Sequence, residues 1–363
     1  DYFATRAEGI TGRRAVQWRL VDEVVPPAGW AEAVAARAAE FADRSERCGA
    51  AGIRLPALGK AGEPDRIDYR YLSAVLDRPA GQVAITVRGP AEPAPDLAGL
   101  HAQGADFWTL ALTRELDDLI LDLRTNEPEL GSWVFRTEGD SELVLDHDRL
   151  LLAHRSDWLA KEILLYLKRT LKRLDVTSRS LIALIEPGSC FAGSLLELAL
   201  AADRSFQLAG VFEELDPDAR PATITPGELN AGPLPMGNGL SRLQTRYLGD
   251  EAGLAAVLDR IDQPLPAEQA LELGLVTFAP DDLDWAEEVR IAIEERASFS
   301  PDALTGMEAN FRFAGPETIE TKIFGRLAAW QNWIFYRPNA AGPDGALRRF
   351  GTGQRGDFDR KRV

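Results

Sequence analysis

The chain has 363 residues, 45% hydrophobic and 27% charged, with a formal net charge of -16. That is the composition of a soluble globular protein of one large or two ordinary domains, and the acidic balance argues against nucleic acid as a partner. No apolar run reaches the ~18 residues of a membrane span, and no secretory signal pattern is read. The two cysteines, Cys48 and Cys190, lack CxxC or Cys/His ligand spacing, which suits a reducing cytoplasm and no metal centre.

Residues 1–45 read as helical pieces around one short apolar strand, Leu20–Val21, and a helix from about Trp30 to Phe41. The same order returns late in the chain. Laying Ala15 on Ala270 brings Leu20 onto Leu275, Val21 onto Val276, Trp30 onto Trp285 and Val34 onto Val289 without a gap. So long a period excludes a solenoid and predicts two related domains in tandem, with residues 1–45 the closing segment of the first. Residues 46–79 read as a linker, rich in Gly, Arg and Pro towards its start.

A second unit, residues 80–298, opens on a strand carrying Val83, Ala84, Ile85 and Val87. "ADFWTLALTRELDDLILDLRT" predicts an amphipathic helix with Phe107, Leu110, Leu116, Leu119 and Leu123 near one face. A short strand, "GSWVFRTEG", and a second helix with Ser156 as candidate N-cap follow. "RSLIALIEPG" has the unbroken apolar run of a strand buried on both faces. Alternating strands and helices predict an α/β architecture with right-handed crossovers. Residues 299–363 read as a helical extension. Its Trp330, Trp333, Phe335 and Tyr336 suit core packing, a subunit interface or a wall against an aromatic acyl group. The basic residues from Arg348 to Arg362 suit a solvated tail, or contact with an anionic ligand or another subunit.

The buried strand runs into "EPGSCFAGSLLELALAADRS", a glycine-containing turn and an apolar helix. Glycines there let backbone N–H groups approach a ligand, and a helix start adds partial positive charge. Such a corner suits a developing oxyanion; it also suits a tight turn with no ligand. Glu197 lies one turn beyond Gly193 among Leu195, Leu196, Leu198 and Ala199. Burial there raises a carboxyl pKa, as general acid–base chemistry at neutral pH requires; an Arg-paired structural glutamate is the alternative. A second carboxylate, Glu228, lies in "TPGELNAGPLPMGNGLSRL". Two carboxylates flanking one such corner suit water addition, or enolate chemistry beside a thioester carbonyl.

These residues resemble the crotonase (enoyl-CoA hydratase/isomerase) superfamily. Its Gly-rich turn, Glu-Leu-Ala and an Asp six residues after the Glu are matched by Glu197-Leu198-Ala199 and Asp203. Its second Glu pattern, closing in Gly-x-x-Arg-Leu, is matched by Glu228, Gly232, Pro235, Gly239, Arg242 and Leu243. Its closing Ala-x-x-x-Gly-Leu-Val signature appears as "ALELGLV", with "AVQWRLV" the degraded copy from a first repeat. The likeness covers about residues 1–45 and 80–298.

The resemblance implies a spiral of ββα units with a helical C-terminal region. It also implies Glu197 and Glu228 as catalytic residues acting on water, and Gly193 or Ala192, with Leu145, as oxyanion and CoA-binding positions. Within the superfamily the likeness is to the branch that opens the oxidised ring of benzoyl-CoA. The implied reaction takes 2,3-epoxybenzoyl-CoA and water to 3,4-dehydroadipyl-CoA semialdehyde and formate, with coenzyme A as part of the substrate and no metal or redox cofactor. A cytoplasmic homodimer is expected, because the Trp-rich extension offers more apolar surface than one domain needs. Three departures stand out; in one, the resemblance implies a first repeat with its own pair of carboxylates and the fuller Gly-rich motif, which would place the main active site outside this chain. Ala192-Gly193-Ser194 replaces the Gly-Gly-Gly of active members, and "SELVLDHDRLL" replaces an Ala-Gly-Ala-Asp loop. They keep two other readings open, a generic enoyl-CoA hydratase/isomerase and a catalytically silent repeat with a structural role.

Overall fold

The computed structural model describes Thr5, residues 7–47, Gly49 and residues 51–362; Cys48 lies outside them. The chain divides into two compact units, residues 1–54 and 55–363.

The first unit holds two helices, α1 (Gly12–Gln17) and α2 (Trp30–Asp43). The strand expected at Leu20–Val21 is instead bend, since among the described residues this unit has no strand to pair with it. After α1, Arg19 adopts a φ of 56°, the left-handed region that favours glycine. Arg19 N donates to Val16 O at 2.9 Å, and Leu20 N to Ala15 O at 3.0 Å.

The second unit is built on seven strands in sequential order: β1 (Ala61–Glu63), β2 (Arg66–Asp68), β3 (Leu72–Asp77), β4 (Gln82–Arg88), β5 (Ser132–Glu138), β6 (Ser180–Ile185) and β7 (Arg204–Gln207). β1 to β4 pair antiparallel, with Val75 opposite Ala84, and β4 to β7 pair parallel, with Ile85 beside Phe135 and Val134 beside Ile182. β1 to β3 correct the expected linker over 46–79. Ile67 and Tyr69, then Leu72, Ala74 and Leu76, are buried, while Arg66, Arg70, Val75 and Asp77 are exposed. Strands of three residues carry too little period-two signal to stand out from a Gly- and Arg-rich background.

Helices α3 (Leu97–Gln103) and α4 (Trp108–Asn126) connect β4 to β5. α5 (Ser141–Ala153) and α6 (Trp158–Asp175) connect β5 to β6, and α7 (Gly193–Leu200) connects β6 to β7. α6 is capped by Asp157 rather than Ser156. The Asp157 carboxylate accepts from Leu159 N at 2.9 Å and Ala160 N at 3.2 Å, pinning two of the first-turn donors. β6 is buried along its whole length, as its apolar run predicts. One side of the sheet packs Leu119, Leu123, Trp133, Phe135, Leu171 and Leu195 into the main core.

After β7 come α8 (Arg242–Arg246), α9 (Glu251–Leu258), α10 (Ala267–Glu272) and α11 (Asp282–Ser298). Trp285 and Val289 of α11 close the other side of the sheet over Val134, Ile182, Leu184 and Phe206. α10 ends on Gly274 at φ 72°, where Gly274 N donates to Leu271 O at 2.9 Å and Leu275 N to Ala270 O at 2.8 Å. These bonds fall at the same spacing as those around Arg19. The aligned apolar residues differ in burial: Trp285 is 5% exposed and Trp30 is 61% exposed.

The C-terminal region is helical, with α12 (Pro301–Arg312) and α13 (Ala328–Phe335) preceded by a π-helical stretch, Thr321–Leu327. Trp330 and Trp333 meet edge-on with ring centroids 5.5 Å apart. In the basic tail Arg348, Arg355, Arg360 and Lys361 are exposed, as a solvated run would be, but Arg362 is not. Arg362 is buried and donates to Ser180 Oγ of β6 at 3.1 Å and to Glu308 Oε2 of α12 at 3.4 Å. The buried Glu308 carboxylate demands cationic partners, and the tail supplies one.

A closed corner at the start of α7

Gly188, at φ 83°, turns the chain out of β6, and Gly193, at φ 45°, begins α7. Each backbone N–H of the expected oxyanion corner already has a protein acceptor. Ala192 N donates to Cys190 O at 2.8 Å, and Gly193 N to Thr225 O at 3.0 Å. Ser194 N donates to Asp148 Oδ2 at 2.6 Å.

Asp148 projects from α5, formed by the segment that replaces the family's loop. Asp140 caps this helix by accepting from Glu142 N at 2.8 Å, and the apolar stripe Val144, Leu145 and Leu151 buries it. Leu145 is the fifth residue of α5, so its N–H belongs to the helical ladder rather than to a ligand. Its side chain fills the corner instead: Leu145 Cδ2 lies 3.2 Å from where a Cβ on Gly193 would stand, and 2.9 Å from one on Gly227. A Cβ on Gly193 would also overlap Asp148 Oδ2. Glycine at 193 therefore makes room for the protein's own carboxyl group. Burial pushes that carboxyl up to about 7, against the pull of the Ser194 N–H; Glu197 adds to the rise and Arg149 opposes it. Beside Ser194, between Trp108, Thr113 and Leu195, the remaining void is about 10 Å³, the smallest space that holds a single water.

Glu197 is 1% exposed, and both of its oxygens are engaged. Oε1 accepts from Asn230 Nδ2 at 2.7 Å, and Oε2 accepts from Arg242 Nη1 at 2.6 Å. Arg242 Nη2 donates to both oxygens of Asp175 at 2.8 Å and to Leu171 O at 3.0 Å. Burial raises the carboxyls of Glu197 and Asp175, and the Arg242 guanidinium between them lowers both. Asn230 also donates to Gly193 O at 2.9 Å and accepts from Gly227 N at 2.8 Å, tying the turn Glu228–Ala231 to the start of α7. Glu228 rides on this turn with an exposed side chain. The structure thus brings Glu197 and the Glu228 turn together through Asn230. Asp203, the third motif acid, accepts from Leu181 N at 2.7 Å and from Arg312 Nη2 at 2.5 Å, locking α7 to β6 and α12.

A cleft of about 620 Å³ opens at the other end of α7, lined by Leu200, Asp203, Arg246, Phe299, Met307 and Phe311. Among the described residues, no group of three or more His, Cys, Asp or Glu side chains is gathered to hold a metal ion, and no helix is long and apolar enough to cross a membrane.

No family model matches the chain. Over its whole length it is 52% identical to benzoyl-CoA-dihydrodiol lyase from Aromatoleum evansii. It is similar to that lyase along its whole length. The chain spans 64% of the lyase's length. Among solved structures, an enoyl-CoA hydratase from Geobacillus kaustophilus matches 81% of the chain and 98% of its own, with a TM-score of 0.56 at 17% identity. An enoyl-CoA hydratase/isomerase from Cupriavidus metallidurans matches 83% of the chain and 96% of its own, with a TM-score of 0.54 at 17% identity. The fold is therefore the crotonase fold, with the helical C-terminal region expected of it.

Two residues of this corner, Asp148 and Asn230, are not foreseen from the sequence. Both are short polar side chains whose partners lie far along the chain. Gly193 and Gly227 approach each other closely in the fold, but they lie 34 positions apart in sequence, so neither announces the contact.

Proposed function

We propose that this chain is part of a ring-cleaving lyase that takes 2,3-epoxybenzoyl-CoA and water to 3,4-dehydroadipyl-CoA semialdehyde and formate. The 52% identity to benzoyl-CoA-dihydrodiol lyase along the whole chain carries this reading. Coenzyme A enters as part of the substrate, in the cytoplasm. Exposed Phe311, Phe324 and Phe350 of the C-terminal region support a homodimer, since apolar surface of this kind marks an interaction face.

Within that protein, residues 55–363 form a crotonase-like unit with a structural role, and the reaction belongs to a preceding crotonase-like domain. The closed corner supports this: its N–H groups have internal acceptors, Leu145 and Asp148 occupy its space, and Glu197 is held by Arg242 and Asn230. Residues 1–45 then close the preceding domain. Arg19 keeps the left-handed turn of Gly274, and Trp30 is exposed where its counterpart Trp285 is covered by a sheet. Titration calorimetry of the whole protein with a non-reactive benzoyl-CoA analogue tests the arrangement. One thioester bound per chain agrees with it, and two refute it.

A further inference from the structure

We infer that the cleft at the C-terminal end of α7 binds a small monocarboxylate with an apolar tail, the carboxylate resting on Arg246. The inference goes beyond the proposed lyase reading and does not depend on which domain carries the reaction. The cleft holds about 620 Å³. Small-molecule sites span about 300–1,000 Å³ and set a few convergent polar groups in apolar walls. Here the walls are Leu200 at the end of α7, Met236, Phe299 between α11 and α12, and Met307 of α12. The chain has two methionines, and both line this cleft. Their unbranched, polarisable side chains adapt to an apolar ligand. Phe299 and Met307 are exposed, so apolar surface faces the opening.

The charge of the cleft runs against that of the chain as a whole. Its acids already have cations: Asp175 meets Arg242 at 2.8 Å, Asp203 meets Arg312 at 2.5 Å, and Glu308 meets Arg362 at 3.4 Å. Arg246, the last residue of α8, has no carboxylate within ion-pair reach among the described residues. Its Nη1 donates to Gly274 O at 2.8 Å, which leaves Nε and Nη2 for an acceptor from outside. Burial lowers this guanidinium below arginine's ordinary value, with only Tyr247 pulling the other way. Next to it, Thr245 Oγ1 is buried with no hydrogen-bond partner, and such an atom calls for one. Both residues line the cleft. A guanidinium fork beside a hydroxyl suits one carboxylate. A neutral ligand would leave the fork unpaired, and a dianion would bring surplus charge towards Asp203 and Glu308.

The test is isothermal titration calorimetry of the whole protein with sodium octanoate, and with 1-octanol as the neutral molecule of the same tail. Saturable octanoate binding is expected, with octanol weaker by about tenfold, the worth of one charge-assisted contact. Arg246→Gln should weaken octanoate by about tenfold and leave octanol unchanged. No saturable octanoate binding by the wild type overturns the inference, as does octanol binding as tightly as octanoate. A folded Arg246→Gln with wild-type octanoate affinity also overturns it, because the ligand then sits elsewhere in the protein. Where Arg246→Gln does not fold, Met307→Glu decides, since it sets a negative charge on an exposed wall residue. A loss of octanoate affinity there supports the inference, and an unchanged affinity overturns it.

Discussion

Arg242 Nη1 and Glu197 Oε2 stand 2.6 Å apart, with both side chains almost wholly buried. The same guanidinium reaches Asp175 at 2.8 Å, so one cation serves two buried carboxylates. A general base must reach a substrate proton. Glu197 has its second oxygen on Asn230 and neither oxygen in open space. Glu197 is held within a buried ion-pair network with Arg242 and Asp175.

That network fixes the first prediction. Arg242→Met leaves Glu197 and Asp175 buried without their cation, which costs about 3–5 kcal/mol when one partner of a buried pair is removed. Urea unfolding should show a matching fall in midpoint at unchanged slope. Glu197→Gln keeps one acceptor oxygen, so it retains the Arg242 or the Asn230 contact and loses the other, while Asp175 keeps its cation; it should cost less. Equal losses for the two variants would contradict the pairing.

Gly193→Ala should be severely destabilising. The position has φ 45°, and an added Cβ overlaps Asp148 Oδ2. Combining it with Asp148→Ala removes the overlap, so the double variant should be more stable than the sum of the two losses allows, with a coupling of about 1–3 kcal/mol. Additive losses would mean the two residues do not meet.

Asp148 sets a pH dependence with a definite sign. Its carboxyl titrates at about 7 when folded, against about 3.9 in an unfolded chain. Between those values the folded protein binds more protons than the unfolded one, so this group's contribution to stability falls as pH rises from about 4 to 7. Unfolding midpoints measured from pH 5 to 8 should therefore decline for the wild type relative to Asp148→Asn. Parallel profiles would rule this out.

Arg19 holds a left-handed conformation on an exposed turn. Arg19→Gly relieves a cost of about 1 kcal/mol, and should raise the unfolding temperature rather than lower it. Differential scanning calorimetry of the whole protein reads this directly, and a loss of stability would show that Arg19 makes a contact worth more than the strain.

Much of the fold was legible because its signals are local. The six apolar residues of β6 require burial on both faces, and Phe107 to Leu123 repeat with the helical period of α4. β1 and β2, three residues each, were hidden by their brevity, and β3, though as long as β6, fell in the same stretch read as linker. At the site, Glu197 and Arg242 were visible as motif positions, and a buried glutamate paired with an arginine was one of two readings open. What the sequence does not show is Asp148 on α5, brought to Ser194 by tertiary packing across 46 positions of sequence. No local pattern announces such a contact.

On the proposed reading the second crotonase-like unit is closed and structural. Steady-state kinetics of the whole protein with Glu197→Gln and Glu228→Gln, beside unfolding temperatures for both variants, separate that role from a catalytic one. The expected kcat/KM is within about threefold of wild type for each, with the effect of Glu197→Gln appearing in stability alone. A fall of about 10²-fold or more in kcat for either variant, at unchanged stability, is the signature of a positioned proton-transfer group and would contradict it.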